Sequence, residues 1–163
     1  IFFEGCRARN RIEFDVEPGG RLLAWEIACL GRVRSAERFA RGEAFQSLSL
    51  NVDGRLRWTE RGQLVAGNRA LGSNVGLGGH SVFGTVLFHP ATTVEGVRLL
   101  EACRAADNAA GGATGLTLLG DLLVGRYLGD SAEEARAVFA GWWAVVRPSL
   151  IGRPAIMPRI WNT

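Results

Sequence analysis

The sequence predicts a mainly β fold that ends in two α-helices. Its first half alternates polar and apolar residues with a period of two, which is typical of strands with one buried face. Glycine is abundant, at 22 of 163 residues, and this suits a chain with many turns. Two later segments, about 92–107 and 131–147, each combine a helix-capping pattern with apolar residues at helical spacing.

Two strands are predicted before residue 31. Arg11–Val16 alternates polar and apolar side chains, and a Pro-Gly-Gly turn follows it. Arg21–Leu30 is almost continuously apolar, which is typical of a strand buried on both faces.

A β-hairpin is predicted over Phe45–Glu60. Its two halves alternate in polarity and meet at Asp53-Gly54, a dipeptide that favours a tight turn. Residues 67–79 are rich in Gly, Asn and Ser, and we expect a mobile loop or linker there. Another buried strand is predicted at Ser81–Phe88.

The last third combines helices with a second hairpin. Thr92 and Glu95 form a capping-box pattern for a helix to about 107, and Ser131 and Glu134 do the same for the next helix. Between them, 114–119 and 122–128 are expected to pair as a hairpin. The inward face of the first helix is predicted to hold Val94, Val97, Leu100 and Cys103. The inward face of the second is predicted to hold Ala135, Val138, Phe139, Trp142, Val145 and Val146, with the helix bending or ending at Arg147-Pro148.

We expect residues 1–163 to form a single domain, β-rich over 1–90 and built as helix, hairpin, helix and tail over 91–163. The opening Ile1-Phe2-Phe3-Glu4 reads as the interior of a strand. This favours the C-terminal part of a longer β-rich protein.

Composition argues against several classes of function. The net charge is +3, but all 19 basic residues are arginines scattered among acids, so no nucleic-acid partner is expected. The chain has no 18-residue apolar span, so no membrane partner is expected either. Three widely spaced cysteines favour reduced thiols and a cytoplasmic location.

Catalytic and tight metal-binding motifs are absent from the sequence. The two histidines, His80 and His89, flank one predicted strand and would lie about 30 Å apart if it were fully extended. We therefore expect no catalytic residues and no tightly bound cofactor.

Glu26 is the most informative acidic residue, because it interrupts the apolar run 21–30. A buried carboxylate must be paired, protonated or in contact with water. One interpretation is an ion pair with Arg38 or Arg41, and the other is a carboxylate facing an internal aqueous channel. Glu37 and Glu60 lie in similar surroundings, and the three carboxylates could pass a divalent ion along without holding it tightly.

Aromatic and arginine side chains near the C-terminus are candidate partner contacts. Trp142 and Trp143 are adjacent on one predicted helix, so they point about 100° apart. Arg159 and Trp161 lie in a proline-pinned tail, and Trp and Arg are enriched at interfaces. The alternative for the tryptophan pair is a wide buried helix face.

Several ordered motifs resemble the urease accessory protein UreD family, called UreH in some organisms. The resemblance covers essentially the whole chain, and its motifs are specific in combination. They are the opening Ile1–Gly5, the run Leu22–Arg32 ending in Leu-Gly-Arg, Glu37–Phe39, Phe83–Leu87, Val124–Asp130, Arg147-Pro148, Gly152–Pro154 and the terminal Pro158-Arg159-Ile160-Trp161-Asn162-Thr163.

The resemblance implies a non-enzymatic urease maturation factor. Family members bind urease apoprotein and UreF, and act with the GTPase UreG to load nickel. The implied fold is a curled, helical arrangement of β-sheets with two helices and an internal tunnel thought to carry nickel in transit. Glu26, Glu37 and Glu60 are the positions expected on the tunnel wall.

Two other functions remain open on the residues alone. A small β-rich hydrolase would use Glu26, Glu37 or Glu60 as acid and base, and needs a pocket with two convergent carboxylates. A generic protein-interaction module would have no metal role. The family's long N-terminal β portion is not matched by this chain.

Overall fold

The computed structural model describes residues 1–90 and 93–162, and for Val33, Thr93, Trp161 and Asn162 it describes the backbone only. In chain order the elements are β1 (Arg7–Val16), β2 (Leu22–Cys29), β3 (Gly31–Arg32), β4 (Glu37–Arg38), β5 (Glu43–Val52), β6 (Arg55–Val65), α1 (Arg69–Gly72), β7 (Val82–His89), α2 (Thr93–Ala105), β8 (Ala113–Leu119), β9 (Leu122–Gly129) and α3 (Ala132–Ile151).

Strands account for 44% of the residues and helices for 26%, so the predicted mainly β class is confirmed. One sheet has the order β1-β5-β6 and another the order β2-β7-β9-β8, with a small β3-β4 ribbon beside them. The chain passes from the first sheet to the second at β2 and returns at β5, which pairs in parallel with β1. This winding is a curled arrangement of sheets.

The molecule has three layers. The two larger sheets pack face to face, because one apolar cluster joins Leu48 and Leu50 of β5 to Leu87 of β7 and Val124 of β9. The other face of the four-stranded sheet is covered by α2 and α3. Side chains alternate along each strand, so the four-stranded sheet presents one apolar set to the helices and a different set to the three-stranded sheet.

Both predicted hairpins are present. The β5-β6 hairpin turns at Asp53-Gly54, where both residues have positive φ angles of 51° and 66°. The β8-β9 hairpin turns at Gly120-Asp121. Strand β2 is less buried than predicted: it lies at a sheet edge, and seven of its eight residues are only half-buried.

The inward face of α2 differs from the prediction. Leu99 and Cys103 are buried and Leu100 packs against the core, but Val94 is 72% exposed and Val97 is 45% exposed. The helix is rotated so that Leu99 and Cys103, four residues apart, form its buried line. The capping residue Thr92 lies outside the described residues.

Helix α3 extends beyond its predicted end. Ser131 caps its N-terminus by accepting a hydrogen bond from the Glu134 N–H. The helix continues through Pro148 to Ile151 and ends at Gly152, whose φ of 69° is the left-handed conformation that glycine favours at a helix end. Pro148 removes a single backbone bond in the last turns, and Leu150 beyond it is buried.

Strand β7 lies close beneath α3 because residue 84 is a glycine. A Cβ atom there would lie 2.7 Å from the Phe139 ring and 2.8 Å from the Glu26 carbonyl oxygen. Gly84 therefore fixes the spacing between the helical layer and the sheet.

The glycine-rich segment 67–79, predicted to be a mobile loop or linker, forms a compact loop. It contains α1 and a series of internal backbone hydrogen bonds, including Leu77 N–H to the Ala70 carbonyl and Gly79 N–H to the Leu71 carbonyl. Leu71 and Leu77 pack against an apolar cluster built on Leu30, Ala44 and Leu64, which anchors the loop. Among the described helices, none combines the length and apolar character needed to cross a bilayer.

Candidate functional site

A row of polar residues crosses the interior between the two larger sheets. In the four-stranded sheet, Glu26 pairs with Thr85, and Thr85 pairs with Arg126. In the three-stranded sheet, Asn10 pairs with Gln46. Glu60 on β6 pairs with Leu48, which lies two residues beyond Gln46 on β5. We call these six residues the polar layer: Asn10, Glu26, Gln46, Glu60, Thr85 and Arg126.

The polar layer separates two apolar clusters. On one side lies the cluster built on Leu48, Leu50, Leu87, Leu122 and Val124. On the other side lies a second cluster built on Leu30, Ala44 and Leu64. The layer therefore interrupts an otherwise apolar interface, and it runs from the β1/β2 edges of the sheets to β6 and β9.

Glu26 is held at one end of the polar layer by neutral amides. Its carboxylate accepts hydrogen bonds from Gln46 Nε2 at 2.5 Å and Asn10 Nδ2 at 3.3 Å. Burial raises the pKa of Glu26, the Gln46 hydrogen bond lowers it, and the charge of Glu60 raises it further. Burial is the largest of these effects, so the pKa of Glu26 lies above the usual value for a glutamate.

The predicted ion pair between Glu26 and Arg38 or Arg41 is wrong. Arg41 pairs with Glu4 at 3.1 Å, and Arg38 lies on the separate β3-β4 ribbon. Within the described part of the chain, no arginine lies at ion-pair distance from Glu26, because the nearby strands β1 and β5 present amide side chains instead.

At the other end of the polar layer, Glu60 forms an ion pair with Arg126. Arg126 Nη2 donates to Glu60 Oε2 at 2.6 Å, and Thr85 Oγ1 donates to Glu60 Oε1 at 3.0 Å. The Arg126 guanidinium lies 5.5 Å from the centroid of the Trp58 ring, in a cation–π contact.

The space beside Glu26 is small. A cavity of about 10 Å³ is lined by Glu26, Thr85 and surrounding apolar side chains, which is room for about one water molecule. Gln46 is 6% exposed, and its Oε1 atom has no hydrogen-bond partner within the described residues. A site of this size has room for an ion or a water molecule.

Glu37 does not join the polar layer. It lies on β4, where its carboxylate accepts hydrogen bonds from the Glu4 N–H at 2.9 Å and Arg32 Nε at 2.7 Å. The Glu4 amide, followed by the Arg32 side chain, lowers the pKa of Glu37. The structure therefore brings Glu26 and Glu60 into one row and places Glu37 elsewhere.

The two histidines have separate carboxylate partners. His80 Nδ1 lies 2.9 Å from Asp130 Oδ2, and this contact is the main cause of the lowered pKa of Asp130. His89 is buried, and its Nδ1 lies 3.8 Å from Asp121 Oδ1. No cluster of three or more His, Cys, Asp or Glu side chains suited to a metal occurs among residues 1–90 and 93–162.

Comparison with known proteins identifies the family. A model described as UreD urease accessory protein matches residues 1–162. The chain belongs to the UreD family. It is 43% identical over 164 residues to the urease accessory protein UreD of Dechloromonas aromatica (strain RCB), covering 100% of this chain and 57% of that protein. Its identity to UreD of Nitrosococcus oceani is 42% over 163 residues, covering 100% of this chain and 54% of the relative.

A third UreD relative, from Pseudomonas aeruginosa (strain UCBPP-PA14), is 40% identical over 163 residues, with 100% of this chain and 57% of the relative covered. The chain thus spans just over half the length of these curated relatives. The matching family is described as an accessory protein of urease.

The tryptophan pair of this UreD chain is not exposed, which corrects the prediction that it forms apolar surface anchors. Trp142 is 0% exposed and Trp143 is 5% exposed. Trp142 packs against Phe139, and Trp143 packs edge-on against Trp25 of β2. Both faces of α3 that carry tryptophan are covered, because the four-stranded sheet and α2 contact the helix from different sides.

The tail of this UreD chain presents apolar surface. Ile156 is 76% exposed and precedes a 3-10 turn at Arg159–Asn162, and Ile160 within that turn is 74% exposed. Arg159 is itself exposed. The Trp161 side chain lies outside the described side chains, so the interface role of Arg159 and Trp161 stays a prediction.

Four members of the polar layer were not predicted: Asn10, Gln46, Thr85 and Arg126. A signal existed for two of them, because Asn10 and Gln46 occupy the inward positions of alternating strands whose other inward residues are apolar. Thr85 and Arg126 are placed by cross-strand register, which a single sequence does not specify.

Proposed function

We propose that this UreD-family protein is a non-enzymatic urease maturation factor that passes nickel along the polar layer. In this role it binds urease apoprotein and UreF, meets the GTPase UreG through UreF, and works in the cytoplasm without nucleic-acid or membrane partners. Family membership supports the accessory role. The chain spans just over half of its relatives, so these activities are proposed for the whole protein of which it forms part.

The observation that carries the nickel proposal is the state of Glu26. Its carboxylate has no cationic partner in the described structure, and it lies between two sheets beside a buried, unpartnered Gln46 oxygen. An uncompensated carboxylate in partly desolvated surroundings attracts a cation. Such a carboxylate lowers the stability of the fold unless it binds a cation or a proton.

The donor set suits transit rather than storage. Carboxylate and amide oxygens are hard ligands, whereas nickel binds imidazole more firmly, and no histidine belongs to the polar layer. Weak oxygen contacts would allow an ion to move from one position to the next. Nickel is therefore treated as cargo, with no resident metal in the protein.

A nickel-loading assay tests this role. Urease is produced together with its accessory proteins, the UreD component being wild type, Glu26→Ala or Glu26→Gln, and nickel per purified urease active site is measured. We expect a loss of about tenfold or more, since removing groups that hold or orient a metal costs about 10–100-fold.

Glu13→Gln is the matched control, because Glu13 is also a strand carboxylate but lies exposed on the outer face of β1. It should leave nickel loading unchanged. If Glu26→Gln protein is folded, binds its partners and loads urease as well as wild type, the transit role of the polar layer is wrong.

The partner contacts are tested by pull-down with co-expressed UreF and urease apoprotein. Arg159→Ala should weaken capture of at least one of them, because Arg159 lies beside the exposed Ile160. Arg136→Ala, an exposed arginine on α3, is the control and should not. Capture of neither partner by folded wild-type protein would leave the generic interaction module as the better assignment.

A further inference from the structure

Arg126 occupies the β6/β9 end of the polar layer. Its Nη2 donates to Glu60 at 2.6 Å, and its Nη1 lies 3.3 Å from Thr85 Oγ1. The Arg126 side chain is 51% exposed, whereas that of Glu60 is 22% exposed. The guanidinium is therefore the more exposed member of this ion pair.

The two carboxylates of the polar layer differ in the groups that balance their negative charge. Glu26 has only neutral amide partners, while Glu60 already has a full positive charge in contact with it. A charge-assisted hydrogen bond from arginine is stronger than one between neutral groups. A divalent cation can therefore contact Glu26 directly, but at Glu60 it must displace the guanidinium.

Space for that displacement exists beside Arg126. Its neighbour on β8 in the pairing register is Gly115, where a Cβ atom would meet nothing within 4 Å. A cavity of about 340 Å³ is lined by Arg126, Gly115 and the glycine-rich loop at Leu77. A long, half-exposed side chain next to such a cavity can leave its partner without any backbone movement.

We propose that Arg126 is a built-in counter-ion that closes the Glu60 end of the polar layer, and that a divalent cation reaches Glu60 only when the guanidinium swings into the adjacent cavity. This inference rests on the proposed nickel transit and assigns different roles to the two ends of the polar layer. The Asn10/Glu26 end is open to a cation, and the Glu60/Arg126 end is closed until Arg126 moves.

Direct Ni²⁺ binding to the purified protein tests this without urease. Isothermal titration with nickel chloride compares wild type, Arg126→Gln, Glu60→Gln and the double variant. Arg126→Gln should bind Ni²⁺ about tenfold more tightly than wild type, because a competing charge-assisted contact is lost. Adding Glu60→Gln to Arg126→Gln should abolish that gain.

Arg34→Gln is the matched control, since Arg34 forms an exposed pair with Glu133 far from the polar layer. It should leave Ni²⁺ affinity unchanged. Circular dichroism shows whether each variant is folded. Should Arg126→Gln fail to fold, Arg126→Lys is used: it keeps one charge but loses the simultaneous contact to Thr85, and a smaller gain in affinity is expected.

The proposal is overturned if folded Arg126→Gln, or Arg126→Lys in its place, binds Ni²⁺ no more tightly than wild type. It is also overturned if the gain survives the Glu60→Gln substitution, or if Arg34→Gln gives an equal gain. The proposed function fails separately, by unchanged urease loading in Glu26→Gln. A gain in affinity that depends on Glu60 would then still support Arg126 as the counter-ion.

Discussion

The four-stranded sheet packs differently on its two faces. Against α2 and α3 it forms a continuous apolar core that includes Tyr127, Phe139 and Trp142, all at most 2% exposed. Against the three-stranded sheet, the apolar contacts are split in two by the polar layer. The helical side is thus built for stability, and the side facing the other sheet gives up apolar contact in order to place charged groups inside the protein.

The largest effect should come from the helical side. Trp142→Ala removes a fully buried side chain that packs on Phe139 and would leave a cavity. We expect the free energy of unfolding to fall by about 3–5 kcal/mol, which chemical denaturation measures. A loss under about 1 kcal/mol would contradict the view that this interface carries most of the stability.

A smaller loss is expected on the side of the polar layer. Leu48→Ala also removes a buried side chain, at 2% exposure, but Leu48 borders the small cavity beside Glu26. We expect about 2–3 kcal/mol, the low end for such truncations, because polar neighbours let water fill the new space. If Leu48→Ala costs more than Trp142→Ala in the same denaturation experiment, the comparison is reversed.

The smallest effect concerns Glu26 itself and depends on pH. Burial raises the pKa of Glu26 in the folded protein, so the folded state binds this proton more firmly than the unfolded chain does. The resulting stabilisation is fully present at low pH and is lost as the pH rises through the raised pKa of the folded protein. Glu26→Gln has no charge to desolvate and should be more stable than wild type at neutral pH. The gain should stay below about 1 kcal/mol, because the side chain is partly exposed and solvent screens it.

Thermal unfolding of wild type and Glu26→Gln between pH 4 and pH 8 measures this difference in stability, which should widen as the pH rises. A pKa shift of one unit corresponds to about 1.4 kcal/mol. A gap that is constant over this range would show that Glu26 does not titrate differently on folding. A variant that is more stable yet loads less nickel would show that the polar layer is kept for function at the expense of stability.

Local signals in the sequence predicted much of the fold. Asp53-Gly54 and Gly120-Asp121 located both hairpin turns, and Ser131 located the start of α3. These features depend on residues close together in the chain. The end of α3 could not be predicted from Pro148 alone, because burial of Leu150 outweighs one missing hydrogen bond.

Non-local features of the site were harder to predict. Glu26 stood out as a carboxylate in an apolar strand, but its partners Asn10 and Gln46 come from another sheet. Arg126 meets Glu60 across 66 residues of chain. Such contacts depend on strand order and register, which the periodicity of a single strand does not contain.

The parallel pairing of β1 with β5 has a consequence for the order of folding. Arg7 aligns with Glu43 and Val16 with Val52, so among the described strands β1 pairs in its sheet only with β5, which is synthesised later. The β5-β6 hairpin needs only local contacts, whereas β1 must close a long loop around β2 to join it, and non-local pairing is slow. We therefore expect β1 to join the hairpin late, so that Asn10 reaches Glu26 among the last native contacts to form.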